Sequence, residues 1–429
     1  MRSRRPPWAD GPRGRTATDV KGGGRARGTT APGAFRGFGT LWTVGTVSGL
    51  GDGVTLIAGP LLAASLTRDP VQVAGLLIAQ QLPWLLFALP SGALVDRRDR
   101  RRLMSAVSLG RAVALAVLGL AVASGHVGLP LLYGVFFLVG CAGLVFENAA
   151  ATMVPVVVPP DGLERANGRL QATRTVSEQL VAKPLGGWLF GLAASAPFLL
   201  DAGALVLVAL LSATLPASTP SVAGPRTTIR TAIAEGVRWL VRHRLLRTLA
   251  VVVSLSNVGL GAVSSILVLI AYERLGLDST GFGLLLTALA VGGVLGGVFA
   301  GRIIAALGPG TTMRVGLVIE CLVHVGAALT HHAGVAALLL GLLGLHLVVF
   351  SAIAASLRQK LVPAELLGRV HSAYRLTTNT GMLLGSVLGG VLGRYVGLSA
   401  PFWVGAACVA ALTVYAWPVL RNRAVSAPE

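Results

Sequence analysis

Long apolar segments, separated by short polar connections, follow one another along almost the whole chain. A helix of about 20 residues crosses the hydrocarbon core of a bilayer, and each segment is long enough for such a crossing. We predict twelve transmembrane helices, at residues 38–66, 72–95, 103–124, 129–153, 168–192, 196–215, 248–272, 280–305, 312–330, 333–355, 371–393 and 399–420. The pattern therefore predicts an all-α integral membrane protein.

A weak internal repeat accompanies the even number of segments. Val158-Pro159 recurs 204 residues later as Val362-Pro363, and Leu185-Gly186-Gly187 recurs as Leu388-Gly389-Gly390. Parallel repeats of six helices, related by an axis along the membrane normal, are a transporter architecture whose binding site lies between the two halves. We therefore predict an N-terminal half at residues 38–215 and a C-terminal half at residues 248–420.

Three polar segments flank or separate these halves. Residues 1–37 are rich in Arg, Gly and Pro and contain no apolar run, which predicts a disordered basic tail or an over-extended gene start. Residues 216–247 are predicted to form a linker with an amphipathic helix whose arginines bind anionic lipid headgroups, and a plain solvated linker is the alternative. Residues 421–429 are predicted to be a second short tail.

The distribution of Lys and Arg predicts which side of the membrane holds the two tails. If the N-terminus is cytoplasmic, the segments on the cytoplasmic side contain 31 of the 36 basic residues. Short cytoplasmic loops are enriched in Lys and Arg. We therefore predict that both termini are cytoplasmic and that the protein lies in the inner (plasma) membrane of a cell.

Composition narrows the function further. Only 12% of the residues are charged, whereas soluble domains have roughly 25%, so a cytosolic enzyme and a nucleic-acid-binding domain are excluded despite the net charge of +19. The three cysteines are far apart in apolar segments, which indicates neither a disulfide framework nor a metal site. No phosphate-binding loop, catalytic triad or cofactor motif is present. We predict no enzymatic activity, no metal and no cofactor.

One polar loop carries a recognisable motif. The loop after the second segment reads Gly92-Ala93-Leu94-Val95-Asp96-Arg97-Arg98-Asp99-Arg100-Arg101-Arg102. It resembles the signature loop Gly-x-Leu-Ala-Asp-Arg-x-Gly-Arg-Arg of the major facilitator superfamily, and Asp99 stands where most members have glycine. An aspartate at this position resembles the loop of enterobactin-exporter-like members of the superfamily. Residues 158–168 and 235–240 resemble the same subgroup. The resemblance covers residues 38–420 and implies the twelve-helix major facilitator fold.

The resemblance also implies a gate in this loop, which contains Gly92, Asp96, Arg97 and Arg101. A carboxylate at the end of one helix can bind the positive N-terminus of a neighbouring helix and pair with an arginine, and such contacts hold the halves together on this side. In the family, Asp96 and Arg97 would have this role. The alternative is that the arginines only fix the topology, and for Arg101 we favour that interpretation.

Ionisable residues inside apolar segments are functional candidates, because burying an unpaired charge in a membrane is costly. Asp52 lies near the middle of the first segment beside Gly49, Gly51 and Gly53, which we expect to leave room for substrate or water. We predict that Asp52 binds the coupling proton or a cationic substrate, and a hydrogen-bonded structural aspartate is the alternative. Asn257 is the equivalent residue of the second half.

Four further charged residues lie in the third to fifth segments. Arg111 and Glu147 lie at similar depth, which predicts a structural ion pair. Glu178 and Lys183 are five residues apart, so both face a central cavity only if their helix is rotated or broken. Antiporters of the family usually have proline in place of Lys183. We expect Lys183 to pair with Glu178 or Asp52 and to couple proton binding to the motion of the halves, and snorkelling to the outer surface is the alternative.

Four more ionisable residues complete the set, namely Asp201, Glu320, His324 and His346. His346, in the tenth segment, is a secondary proton candidate, and a neutral histidine with a satisfied hydrogen bond is the alternative. The resemblance implies that Asp201 and Glu320 are peripheral, because family members usually keep these positions away from the site.

These features predict a secondary active transporter. The leading hypothesis is a proton-coupled exporter of a small amphipathic molecule, such as an antibiotic, a siderophore or another metabolite, that works by alternating access to a central cavity. An importer or uniporter of the same fold is one alternative, and a membrane enzyme or scaffold is another. The expected partners are a small-molecule substrate, protons and membrane lipids, without nucleic acid, and we expect a monomer.

Overall fold

The structure is a computed structural model that describes residues 34–217 and 229–422. It describes the side chains of these residues except at positions 34–36, 88, 89, 93, 96, 229–234, 236, 364 and 365. The predicted N-terminal tail therefore lies outside the described residues, apart from its last few positions. The described residues form helices and no strands, which confirms the predicted all-α class.

The first half of the chain contains six helices. They are α1 (Ala34–Leu66), α2 (Pro70–Arg97), α3 (Arg100–Ala123), α4 (Leu129–Val157), α5, and α6 (Ala196–Ala213). Helix α5 has three consecutive parts, namely α-helical Leu163–Arg174, π-helical Thr175–Val181 and α-helical Ala182–Leu192. The sequence analysis predicted that Glu178 and Lys183 could face a central cavity together only if their helix were rotated or broken. The structure has a π-helical segment at this place, a feature often found at functional sites.

The second half has a similar set of helices after a connecting helix, α7 (Ile229–Arg242). They are α8 (Arg244–Leu269, continued by π-helical Ile270–Arg274), α9 (Ser279–Leu307), α10 (Pro309–Leu329), α11 (Ala333–Leu361), α12 (Ala364–Tyr395) and α13 (Ala400–Ala416). The connecting helix packs against α8 and α12, where Leu240 is buried and Glu235 contacts Arg369. Val237 and Val241 of its predicted apolar face remain exposed.

Local sequence determines where several helices begin. Asp69, Asp99 and Asp278 cap α2, α3 and α9, and each carboxylate accepts a hydrogen bond from a backbone N–H of the first turn, at 3.0, 3.0 and 2.7 Å respectively. An aspartate at this position stabilises a helix by about 1 kcal/mol relative to alanine. Helix capping therefore explains why aspartate stands at position 99 of the loop motif.

Fewer described helices have the length and hydropathy of a membrane span than the twelve that the sequence predicts. Among the described residues, nine helices are long and apolar enough to cross a membrane, namely α1–α4, α6 and α8–α11. Helices α5 and α12 lie at predicted spans but carry many polar residues, and α13 has only 17 residues. The twelve-span count therefore stays a prediction.

The two halves pack their helices in the same way. In the first half α1 contacts α5 and α6, α2 contacts α4, and α3 contacts α4 and α6. In the second half the equivalent pairs are α8 with α12 and α13, α9 with α11, and α10 with α11 and α13. The halves meet through α2 with α12 and α5 with α9, which are also equivalent pairs. The packing is therefore that of two structural repeats.

The halves are joined at one end of the bundle. We call the end where α1 begins and α13 ends the terminal end, and the opposite one the far end. At the far end one apolar cluster combines α1 and α2 with α8, α9 and α13. Two ion pairs cross the interface there, Asp69–Arg394 at 3.1 Å and Arg68–Glu273 at 4.0 Å. Towards the terminal end, the described apolar clusters belong to one half or the other.

Helices α5 and α9 approach each other closely between the halves, and two glycines permit this contact. A Cβ atom added at Gly283 would lie 2.6 Å from the carbonyl oxygen of Lys183, and one added at Gly187 would overlap the carbonyl oxygen of Ser279. Any side chain at these positions would push the halves apart at the far end.

Candidate substrate cavity and charged network

A cavity of about 630 Å³ lies on the face of the N-terminal half. It extends from the terminal ends of α1, α4 and α5 to mid-depth, where Asp52 of α1 and Arg111 of α3 line it. All of its described lining residues belong to α1–α5. The sequence predicted a cavity formed by both halves, whereas the structure places this one on a single half, because the halves pack together at the far end and leave this face uncovered.

Asp52 binds Arg111 in the deepest part of the cavity. The guanidinium is 3% exposed, whereas the Asp52 side chain is 38% exposed and faces the cavity. Ser48, one turn earlier in α1, donates its hydroxyl to the second carboxylate oxygen of Asp52 at 3.1 Å. A carboxylate between water and a buried arginine can accept a proton from the cavity, because its cavity-facing side stays solvated.

The predicted Arg111–Glu147 ion pair is wrong. Arg111 pairs with Asp52, and Glu147 pairs instead with Arg174 at 2.7 Å. The rotation of α3 turns Arg111 towards α1. Similar depth in neighbouring helices was therefore insufficient to identify the partner.

Asp201 of α6 lies beside this pair and is fully buried. The hydroxyl of Thr55 donates to one of its carboxylate oxygens at 2.6 Å, while the other carboxylate oxygen has no hydrogen-bond partner among the described residues. Arg111 is close enough to interact electrostatically with Asp201. The prediction that Asp201 is peripheral was wrong, because α6 packs directly against α1.

Two of the three glycines around Asp52 have a different role from the predicted one. A Cβ atom at Gly51 would overlap the Asp201 carboxylate, and one at Gly53 would lie 2.5 Å from the Cβ of Ala182 in α5. A Cβ atom at Gly49 would lie 3.3 Å from the Ser177 hydroxyl. Gly51 and Gly53 therefore permit close packing of α1 against α6 and α5 and provide no space for a substrate, whereas Gly49 lines the cavity.

A second charged group lies in the cavity wall nearer the terminal end. Arg174 of α5 binds Glu147 of α4 at 2.7 Å and Glu178 of its own helix at 2.8 Å. All three residues line the cavity, with Glu147 and Arg174 about half exposed. If all groups are ionised, the five charged residues of the lining carry three negative and two positive charges, so the wall is weakly acidic.

Two tryptophans give the cavity an aromatic surface. Trp42 of α1 donates its indole N–H to the hydroxyl of Thr173 at 2.8 Å. Trp84 of α2 also lines the cavity, and the guanidinium of Arg375 in α12 lies 4.4 Å from its ring centre. Arg375 itself is not one of the lining residues, so this cation–π contact connects α12 of the C-terminal half to the cavity wall from outside the lining.

Lys183 lies outside the cavity lining. It is buried in α5 where this helix meets α9, and it has no carboxylate within 4.0 Å among the described side chains. The expected ion pair with Glu178 or Asp52 is therefore absent from the structure, because those carboxylates are held by Arg174 and Arg111. Its coupling role stays a prediction.

The two candidates from the C-terminal half are also away from the cavity lining. The side-chain amide of Asn257 donates to the carbonyl of Val253 in its own helix at 2.7 Å. His346 is buried, and its Nε2 lies 3.2 Å from a carboxylate oxygen of the equally buried Glu320. Glu320 is thus part of a buried pair inside the C-terminal half, between α10 and α11.

The gating loop is described in part. Gly92 has open space around it, and Arg97 is exposed without an ion pair to a described side chain. The side chain of Asp96 lies outside the described residues. Arg101 is 3.7 Å from Asp99, the cap of its own helix. The gate formed by Asp96 and Arg97 remains a prediction.

Two repeats of six helices that pack in the same way, with a charged cavity on one of them, are an architecture typical of membrane transporters. Residues 27–427 match the family described as "Transmembrane secretion effector", and the chain belongs to this family of major facilitator superfamily (MFS) transporters. The protein is accordingly a transporter and not an enzyme.

Known proteins with similar sequence or structure agree with this assignment. The chain is 28% identical over 392 residues to the MFS-type transporter YfiS of Bacillus subtilis. This alignment covers 86% of this chain and 89% of YfiS. It is 27% identical over 372 residues to the multidrug efflux pump Tap of Mycolicibacterium fortuitum, covering 83% and 88% of the two chains. A crystal structure of a point mutant of the nucleoside transporter NupG matches with a TM-score of 0.73 at 12% identity, over 89% of this chain and 99% of that one.

Proposed function

We propose that this transporter is a proton-coupled exporter of small amphipathic molecules, with Asp52 as the proton-binding group. The observation that carries the proposal is the contact of Asp52 and Arg111 at the base of the cavity. Asp52 is the exposed member of this pair, so protons from the cavity reach it directly. Protonation would neutralise its carboxylate and weaken its hold on the buried arginine.

The chemistry of the cavity wall favours an amphipathic and preferably cationic substrate. Trp42 and Trp84 offer flat apolar surfaces. The Trp84 ring already contacts Arg375, whereas the Trp42 ring has no cation–π partner among the described residues and can attract a substrate cation. The three carboxylates of Asp52, Glu147 and Glu178 exceed the two arginines of the lining by one charge. A cation that binds near Asp52 would compete with a proton for the same carboxylate, and this competition is the basis of exchange.

Export is the direction that agrees with the charge distribution. The cavity extends to the terminal end, and the count of basic residues predicts that this end is cytoplasmic. A substrate would therefore enter the cavity from the cytoplasm of a plasma-membrane protein whose termini are both cytoplasmic. Tap, a relative along most of the chain, is named a multidrug efflux pump.

Ethidium, an aromatic cation, is a suitable probe for this proposal. Cells that lack their own drug exporters are expected to accumulate less ethidium when they express this protein, and a protonophore should remove the difference. Fluorescence of ethidium bound to nucleic acid measures the accumulation. Higher accumulation in expressing cells would indicate import, and an unchanged level for ethidium and a panel of amphipathic cations would contradict the proposed substrate class.

A further inference from the structure

Arg111 stands between two carboxylates but is hydrogen-bonded to one. It contacts Asp52, while its Nε–H group has no hydrogen-bond partner among the described residues. One carboxylate oxygen of Asp201 is equally without a partner. A buried donor and a buried acceptor thus lie unsatisfied in the same cluster, and leaving either unpaired is costly.

The packing holds Asp201 in place for a second contact. Gly51 leaves room for its carboxylate against the backbone of α1, and Thr55 binds one carboxylate oxygen while the other has no hydrogen-bond partner among the described residues. Arg111 has a planar guanidinium with five N–H donors, so it can bind two carboxylates in turn by a small rotation. Asp201 is fully buried, which prevents water from replacing the arginine.

The geometry points to Asp201 as a positioning residue that takes over Arg111 when Asp52 becomes protonated. This inference rests on the proposed proton-binding role of Asp52. A proton from the cavity adds to the Asp52 carboxylate and forms a carboxyl group, which no longer attracts the guanidinium. Arg111 then binds the ionised Asp201, so the buried charge remains paired. Since Asp52, Arg111 and Asp201 belong to α1, α3 and α6, the exchange would change the contacts among three helices.

The other charged groups around this cluster are already engaged or distant. Glu147 of α4 and Glu178 of α5 are both held by Arg174, and Lys183 lies at the contact with α9. Helix α2 contributes Gln80 and Trp84 to the cavity lining, and neither side chain is charged. The exchange therefore involves three charges, two negative and one positive, and one added proton makes their sum zero.

Infrared difference spectroscopy of the purified protein in lipid tests the exchange without a gradient or a transported compound. Protonation of Asp52 should give a carboxyl C=O band that is absent from Asp52→Asn. In Asp201→Asn, Asp52 is the one carboxylate of the cluster that can pair with Arg111, and the negative charge of Asp201 near Asp52 is removed. Both changes favour ionised Asp52, so the midpoint of the band should move to lower pH by about one unit. Asp161→Asn, an exposed control, should leave the midpoint unchanged.

Three results would overturn the inference. An unchanged or higher midpoint in Asp201→Asn would show that Asp201 does not compete for Arg111. A band lost in Asp201→Asn but kept in Asp52→Asn would make Asp201 the proton carrier. Asp201→Asn keeps Arg111 paired with Asp52 and is expected to fold, so loss of folded protein would make Asp201 a purely structural counter-ion. A shifted midpoint in a protein that shows no proton-driven transport would instead contradict only the proposed function.

Discussion

Replacement of Asp52 by asparagine is expected to abolish transport driven by a pH gradient while leaving the protein folded. Asparagine preserves the size of the side chain but cannot take up a proton. The buried Arg111 is not left without a counter-ion, because Asp201 lies within its electrostatic reach. We therefore expect Asp52→Asn to purify with normal yield and thermal stability, and to move ethidium no faster than protein-free liposomes when a pH gradient is imposed.

The matched control for this experiment is Asp161→Asn. Asp161 is an exposed carboxylate outside the cavity lining, so its neutralisation changes the net charge equally without touching the site. It should transport ethidium like the unmodified protein. Gradient-driven transport by Asp52→Asn at the unmodified rate would exclude Asp52 as the proton-binding group.

Replacement of Gly283 by valine is expected to shift the protein towards the conformation that is open at the far end. The added side chain would overlap the backbone of α5 at Lys183, where the two halves meet. Overpacking of this kind costs about 1–3 kcal/mol, which corresponds to a shift in the conformational equilibrium of roughly 5- to 150-fold. Because the halves would no longer close fully at the far end, turnover should slow strongly.

Labelling of a buried cysteine measures this shift. Val73→Cys places a thiol in the apolar cluster that joins the halves at the far end, after the three native cysteines have been replaced by serine. A membrane-impermeant thiol reagent added from the far side should label this cysteine faster in Gly283→Val. The control is Gly301→Val in the same helix, where a Cβ atom meets no other atom within 4 Å. Equal labelling in Gly283→Val and Gly301→Val would contradict the assigned role of the α5–α9 contact.

The sequence was sufficient to predict the helical fold and the existence of two similar halves. Exposing polar groups to lipid is costly, so each helix that spans the membrane must be apolar over its length. Each such helix can therefore be recognised from its own stretch of sequence. Predictions that depended on a single helix were therefore the most successful. The interrupted helix α5 shows the limit, because a π-helical segment changes the face of Glu178 and Lys183 without a clear signature in the sequence.

Partners within the site were harder to predict than its members. Asp52 and Arg111 were both identified as candidates, but their pairing depends on how α1 and α3 are rotated about their axes. Asp201 was missed because the resemblance implied that this position lies away from the site. A useful signal was nevertheless present: every charge in an apolar segment needs a partner, and Gly51 beside Asp52 marks where α6 approaches α1.

Counter-movement of protons and ethidium in liposomes tests the central claim most directly. The purified protein is reconstituted in one orientation, with the terminal end facing the external medium and a pH-sensitive dye in the lumen. With an acidic lumen, ethidium should move inwards while protons move outwards, and nigericin, which collapses the pH gradient, should stop both movements. Ethidium movement that is independent of the pH gradient, or that carries protons in the same direction, would contradict proton-coupled export.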